Sequence, residues 1–342
     1  MNKSFGVPAI LLAFALFCLN VFSQDVVTIY KQAKANYDAK NYAQAVENFK
    51  RVHRINPGIP ESHYYLANSY YELKQYSEAV ASYREAIRLK PDYFDAMVYL
   101  GNSLDYLKEY DQAIDAYRAA LKIKPDTAWV YFEIGVSYGG QKLYIKAIDA
   151  YEQAIRIDPG YTRPYRNLGI AYRDLKMYEK AEAILLKLLG MESDNTSAYS
   201  DLGYVYSLQN KTAKAIEAYN TALRLDSMHS LSYLRLGSLY YNSKQYAEAL
   251  PNYRKAVYYD PTWTTALIYL GDTYLNLKRY DEALAEYQKA EDQDPGNDVA
   301  QYGIGLAYLY SGRKDMARRQ YDILVGMNSA NAEKLLERIN AY

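Results

Sequence analysis

The sequence predicts an all-α solenoid: one uninterrupted stack of helix-turn-helix units behind a short apolar leader. Three observations on a single 34-residue register predict it. Prolines fall at Pro57, Pro91, Pro125, Pro159, Pro261 and Pro295. Alanine holds nine consecutive places, Ala45, Ala79, Ala113, Ala147, Ala181, Ala215, Ala249, Ala283 and Ala317. Twelve residues before each alanine stands a tiny residue, from Ala33 and Ala67 through Gly101 to Gly305, and four after it a large ring, with Leu185 the one exception. No insertion or deletion breaks the series from Val26 to Asn331. A period of this length marks a repeat array, for which chain length does not set domain number.

The leader is a different kind of sequence. Lys3 supplies a positive start, Val7 to Val21 is almost wholly apolar, and Val21-Phe22-Ser23 offers small residues for a peptidase. That apolar run is shorter than the roughly 20 residues of a membrane-spanning helix. Residues 1–23 therefore read as a signal peptide cleaved after Ser23, with an uncleaved membrane anchor as the alternative. The only cysteine, Cys18, lies within it. Phe17 is too bulky for Cys18 to read as a lipid-attachment site, and the mature chain would have no thiol for disulfides or metals.

After the leader each unit reads as two amphipathic helices. Met97, Leu100, Gly101 and Leu104 share one face of a first helix at helical spacing. Gly101 lets the second helix approach, Ala113 returns the contact, and Tyr117 fills the wedge toward the next unit. A short turn joins the pair at Lys108-Glu109, and proline ends the second helix because it cannot continue the hydrogen-bond ladder. Where Ser193, Ser227 and Ser329 replace proline, serine is expected to cap the next helix.

The unit Met97-x-x-Leu100-Gly101-x-x-Leu104…Tyr110-x-x-Ala113-x-x-x-Tyr117-x-x-Ala120…Pro125 resembles the tetratricopeptide repeat. The resemblance extends over nine units: 26–59, 60–93, 94–127, 128–161, 162–195, 196–229, 230–263, 264–297 and 298–331. Residues 332–342, with Leu335, Leu336 and Ile339, then form a C-terminal capping helix, since a solenoid must close its last apolar face. The resemblance implies a right-handed superhelix whose first helices line a concave groove. It specifies a fold and a scaffold role, and no particular partner.

Spacing maps the row facing that groove: residues six and three before the tiny residue, and one and four after it. The third unit shows Asp95, Val98, Asn102 and Asp105 there, and the fourth Trp129, Phe132, Val136 and Gly139. Three features emerge. Arg163, Arg166 and Arg173 share one helix face, which suits either a carboxylate or acidic peptide, or internal pairing with Glu133 and Asp201. Tyr64, Tyr71, Trp129 and Phe132 offer rigid aromatic surface to an extended peptide, or ordinary packing. The last rows, among them Ile268, Leu275, Tyr302, Leu306 and Leu309, read as shallow core rather than a partner patch. Asn68 and Asn102 match the asparagine half of the lysine-asparagine clamp with which some family members bind C-terminal carboxylates. Tyr64 stands where that clamp needs lysine, so its function is not carried over.

Composition narrows the function classes. Forty basic residues balance forty acidic ones, so no global field recruits nucleic acid or an anionic membrane. The 42 tyrosines suit a thin, well-solvated fold, since each buries a large ring while its hydroxyl needs a partner. His53, His63 and His229 show no metal spacing, and Glu291 to Asp298 lacks the frame of a calcium loop. No phosphate loop, nucleophile or paired acid constellation appears, and no residues remain for a catalytic domain. The reading is a non-catalytic protein-interaction scaffold, without cofactor or metal. It would be exported to the periplasm or envelope, without a stable membrane span once the leader is cleaved, to assemble an envelope or secretion complex. A small-ligand or glycan-binding protein is the alternative.

Overall fold

The computed structural model describes residues 25–342, so the expected signal peptide, its cleavage site and Cys18 lie outside the described residues. Every regular element among them is a helix. The chain divides into two compact units, with the boundary in the sequence between Leu175 and Lys176. The N-terminal unit holds α1 (25–38), α2 (Tyr42–Ile55), α3 (Pro60–Glu72), α4 (Tyr76–Leu89), α5 (Phe94–Tyr106), α6 (Tyr110–Ile123), α7 (Ala128–Gly140), α8 (Tyr144–Ile157) and α9 (Arg163–Asp174). The C-terminal unit holds α10 (Tyr178–Met191), α11 (Thr196–Leu208), α12 (Thr212–Leu225), α13 (Ser230–Asn242) and α14 (Tyr246–Tyr259). It continues with α15 (Thr264–Asn276), α16 (Tyr280–Gln293), α17 (Asp298–Tyr310), α18 (Lys314–Gly326) and α19 (Asn331–Ala341). Each unit is an all-α repeat solenoid.

Two junctions alternate along the chain, and the sequence sets both. From an odd to an even helix the link is a Schellman turn. In the third pair, Lys108 N–H donates to Asp105 O at 2.9 Å and Glu109 N–H to Leu104 O at 2.8 Å. This needs a left-handed residue, and Lys40, Lys74, Lys108, Lys142, Lys176, Asn210, Lys244, Lys278 and Gly312 supply it in turn, each with φ between 58° and 81°. From an even to an odd helix the chain extends: Lys90 (φ −136°, ψ 89°) and Lys124 (φ −129°, ψ 86°) precede their prolines as proline's ring requires. Glu192 and Asp226 adopt the same angles before Ser193 and Ser227, so the junction keeps its form without proline. Of the expected serine caps only Ser329 provides one, its hydroxyl accepting from Asn331 N–H at 3.0 Å at the start of α19, while Ser193 and Ser227 do not. At the start of α11 the cap is Asn195, whose side chain accepts from Ala198 N–H, and α13 begins at His229 without a side-chain cap. Two asparagines thus have structural duties, Asn195 as this cap and Asn210 as a left-handed turn residue.

Packing within a pair rests on one contact. The alanines of the even helices are fully buried, and so are Phe49, Tyr83, Tyr117, Tyr253 and Tyr287. A Cβ built on Gly101 would lie 2.5 Å from the Tyr117 ring, and one on Gly271 2.7 Å from Tyr287. The tiny residue is therefore required by the ring lying flat against its helix, rather than by the alanine opposite it. Gly303, one pair further on, clamps the other side of Tyr287.

Stacking sets the curvature of each unit. Beyond the successive helices, α3 touches α5, α5 touches α7 and α7 touches α9, and in the second unit α11, α13, α15 and α17 do likewise. Even helices make no such contacts with one another among the described residues, so the odd helices form the inner, concave side of each stack. At the end, α19 lays Leu335 and Ile339 on Leu309 and Leu324, all fully buried. The apolar rows of the last pairs are mostly interior too, with Ile268 and Leu309 buried and Leu275, Tyr302 and Leu306 packed against the core.

The ring contact gives opposite expectations for two glycines. Gly101→Ala overpacks the Tyr117 ring and is expected to destabilise by roughly 2–3 kcal/mol. Gly190, helical and with no atom within 4 Å of its absent Cβ, should gain roughly 0.5–1 kcal/mol as alanine. Denaturant midpoints of the two variants check both signs, and equal shifts would show that the ring tolerates a methyl group.

Candidate functional site

The inner row is partly claimed by the core behind it. Burying a tyrosine ring leaves its hydroxyl in need of a partner, and the odd helix provides one. Tyr83 donates to Asn68 at 2.5 Å, Tyr117 to Asn102 at 2.7 Å, Tyr253 to Ser238 at 3.0 Å and Tyr287 to Asp272 at 2.5 Å. These acceptors all follow the tiny residue by one position. Where Val136 and Tyr204 stand in that place, the Tyr151 and Tyr219 hydroxyls pair with Asn167 and Ser207 instead.

Asn68 is thus buried and bonded to the core, and Phe132, 3% exposed, packs on Tyr151 and Tyr161. Neither can face a partner. The spacing map fails at Phe132 because the position three before the tiny residue lies where neighbouring odd helices touch. Val98, Leu234 and Ile268 are buried there too. Tyr64 is half-buried among Tyr83, Tyr93 and Tyr99, and burial pushes its hydroxyl up to about 12. Trp129 is exposed, edge-on to Phe94.

The three arginines of α9 differ in exposure and in partners. Arg163 is well exposed, lies over the Phe132 ring at 4.5 Å and approaches Glu133 to 3.8 Å. Arg173 is mostly buried and forks onto the neighbouring Asp174 at 2.6 and 2.8 Å. Arg166 is half-buried and is itself engaged. Of the expected partners, Glu133 approaches Arg163, and Asp201 is engaged by Arg235 at 3.0 Å among its contacts.

What the structure assembles instead is a pocket on the inner side of the N-terminal unit, about 510 Å³ in volume. Tyr71 of α3, Asn102, Asp105 and Tyr106 of α5, Tyr110 and Tyr117 of α6, and Glu133, Val136 and Gly140 of α7 line it, with Arg163 of α9. Tyr71, Asn102 and Arg163 are thus the expected residues that it brings together. Asp105, Tyr106, Tyr110 and Glu133 are additions. Asp105 was legible in the groove row, whereas Tyr106 sits just beyond the row and Tyr110 belongs to a second helix.

The floor is acidic. Asp105 lies 2.7 Å from both the Tyr117 and Ser137 hydroxyls, sharing the single Tyr117 proton with Asn102 and the Ser137 proton with the Glu133 carbonyl. Burial raises its carboxyl above the usual range, and these two hydrogen bonds only partly oppose that shift. Burial raises Glu133 as well, with Arg163 opposing. The Tyr117 hydroxyl is driven up by burial and by Asp105, so it stays a donor. One wall is aromatic: Tyr106 stacks on Tyr76 at 4.4 Å and 4°, Tyr71 meets it edge-on at 5.7 Å, and Tyr110 lies against Gly140, where a Cβ would come within 2.6 Å of its ring.

On the opposite side of the stack a second concavity, about 590 Å³, is lined by Arg118, Lys122 and Lys146 with Asp149. Among the described residues no group of three or more His, Cys, Asp or Glu side chains is placed to hold a metal ion, and no helix is long and apolar enough to cross a membrane. His53 and His63 stack at 3.7 Å, and burial and the neighbouring ring lower His53 to about 4.

Comparison with known proteins places tetratricopeptide repeats across the chain. A TPR-repeat model matches residues 67–105 and 101–142, and tetratricopeptide-repeat models match 36–81, 140–203, 196–227 and 234–298. No curated protein matches. Among solved structures the chain is similar to a tetratricopeptide repeat protein from Parabacteroides merdae, at 17% identity over 73% of this chain and 99% of that one, with TM-score 0.60. It is also similar to the C-terminal part of a TPR repeat-containing protein from Cytophaga hutchinsonii, at 20% identity over 80% and 99%, with TM-score 0.53. The APC/C hetero-tetramer Cut9-Hcn1 matches at 16% identity over 86% of this chain and 59% of that one, with TM-score 0.57. At these identities the likeness concerns the fold alone.

The electrostatics of the floor make a testable statement. A carboxyl raised in the folded state binds its proton more tightly there than in the unfolded chain, so its contribution to stability falls as pH rises above the ordinary value of 3.8. Asparagine does not titrate. The stability of Asp105→Asn relative to wild type is therefore expected to improve from pH 4 to pH 7, read as the difference in urea midpoints. A difference independent of pH would mean that Asp105 is not desolvated.

Proposed function

We propose that this tetratricopeptide-repeat chain is a non-catalytic scaffold that holds a segment of a partner protein against the odd helices of its N-terminal unit. The observation carrying the reading is the open pocket of about 510 Å³ on that inner side, walled by tyrosines and built on rigid helices. Aromatic side chains with few rotamers suit peptide capture, because they present large area at low entropic cost. The repeat architecture supports the same reading, since stacked pairs leave an extended concave surface. The structure gives no support to an acidic partner, because Arg163 and Arg173 have carboxylates beside them and the pocket floor is itself acidic.

Export and an envelope role rest on residues 1–23 and on a mature chain without cysteine. Nine consecutive repeats between 26 and 331 and a cap at 332–342 complete the proposed organisation.

Two experiments test these points. Expressed with its own leader in a Gram-negative host, the mature protein is expected to begin at Gln24, as read by N-terminal sequencing of the periplasmic fraction. A chain still starting at Met1 and sedimenting with membranes would favour an anchor. For the groove, p-benzoylphenylalanine replaces Tyr106 on the inner side, or Ile145, 68% exposed on α8, as a control. Illumination in envelope extract should give a discrete adduct to one protein from position 106 and none from 145. Equal labelling would remove the groove reading, and a glycan-bearing adduct at 106 would replace it with polymer binding.

A further inference from the structure

We infer that the inner pocket of the N-terminal unit is a receptor for a basic side chain, a lysine or arginine carried by the bound partner segment. The inference rests on the scaffold reading above and specifies its chemistry.

Asp105 is the central observation. Both its oxygens have a hydroxyl at 2.7 Å, Oδ1 that of Ser137 and Oδ2 that of Tyr117, whose proton it shares with Asn102. Each still has a lone pair to offer, since a carboxylate presents about four acceptor sites. No cationic group offsets its burial among the described residues. A half-buried carboxylate that is oriented but lacks a counter-charge suits an incoming donor that carries positive charge, because such charge-assisted bonds are the strong ones.

The walls suit the same guest. One face of Tyr106 is covered by Tyr76, yet Tyr106 remains 60% exposed, so its other face is open to the groove. Tyr71 and Tyr110 complete an aromatic enclosure around the carboxylate. Tyrosine faces attract ammonium and guanidinium groups, and the flexible alkyl stem of lysine or arginine packs on ring surface while its head reaches the acid. The one base on the wall, Arg163, is directed to Glu133 and to the Phe132 ring. An anionic guest would face two half-buried carboxylates, and a purely apolar one would desolvate Asp105 further without a compensating bond.

The test uses fluorescent decapeptide libraries with a fixed central Arg, Lys, Glu or norleucine and randomised uncharged flanks, titrated by fluorescence anisotropy against the full mature chain. Central Arg and Lys are expected to bind about ten-fold more tightly than Glu or norleucine, the gain of one charge-assisted hydrogen bond. The preference should fall steeply in Asp105→Asn and persist in Asp126→Asn, which alters an exposed loop carboxylate. Tyr106→Leu, at an exposed ring, should lower Arg and Lys binding about three-fold or more even if Asp105→Asn folds poorly. Equal binding of all four libraries, a preference for Glu, or a basic preference indifferent to both substitutions would overturn the inference. If the adduct at position 106 forms while no basic preference exists, the scaffold reading stands and only the basic-side-chain reading falls.

Discussion

The structure depends on a tyrosine ring lying where a side chain is missing. In each of several pairs the ring fills the space that a Cβ on the opposing helix would occupy, as Tyr117 does over Gly101 and Tyr287 over Gly271. That brings the helix backbones close and buries about as much apolar surface as one side chain can supply. It also creates an obligation, because the hydroxyl ends up inside the stack. A donor left unsatisfied there would cost roughly 1–3 kcal/mol, so an odd helix must supply an acceptor, which in four pairs stands one position after the tiny residue. Asn68, Asn102, Ser238 and Asp272 are the consequence.

This coupling explains why the groove is polar where it is and why some of its polar residues are not for partners. Asn68 serves the ring behind it. Asp105 serves Tyr117 as well, but a carboxylate has capacity beyond one hydroxyl, and that surplus is what the pocket exposes. The same core contact that closes the helix pair therefore holds the site's acid in place. The site inherits its rigidity from the fold and needs no separate support.

The helix pairs and their junctions were legible because the register repeats without slippage. Tiny residue, alanine and ring recur for a packing reason that each pair meets again. Other features were hidden for physical reasons. Lysine at 40, 74, 108 and their successors gives no signature of a left-handed turn, since its side chain has no local bond that marks that conformation. Ser193 suggested a cap that Asn195 provides, because the extended residue before each junction moves the helix start downstream. Phe132 counted as groove because helical spacing alone cannot see the neighbouring odd helix that covers it. Tyr110 could not be found at all from the row, as it enters the pocket from a second helix, its ring lying directly against Gly140.

The remaining freedom of the sequence lies where the period is silent. Four places after the tiny residue the chain carries in succession Tyr37, Tyr71, Asp105, Gly139, Arg173, Ser207, Tyr241, Leu275 and Leu309. No packing rule sets this position in common, so its identity is free to differ from pair to pair. Where it is leucine, as at Leu309, the core absorbs it. Where it is Arg173, a neighbouring aspartate does. At Asp105 only hydroxyls meet it, and the flanking pairs contribute Tyr71 above and the bare Gly139-Gly140 below, which leaves the carboxylate open to the groove. Recognition in such an array follows from which aperiodic residues the repeating core fails to neutralise, and in the N-terminal unit the inner residue left in that condition is an acid among tyrosines.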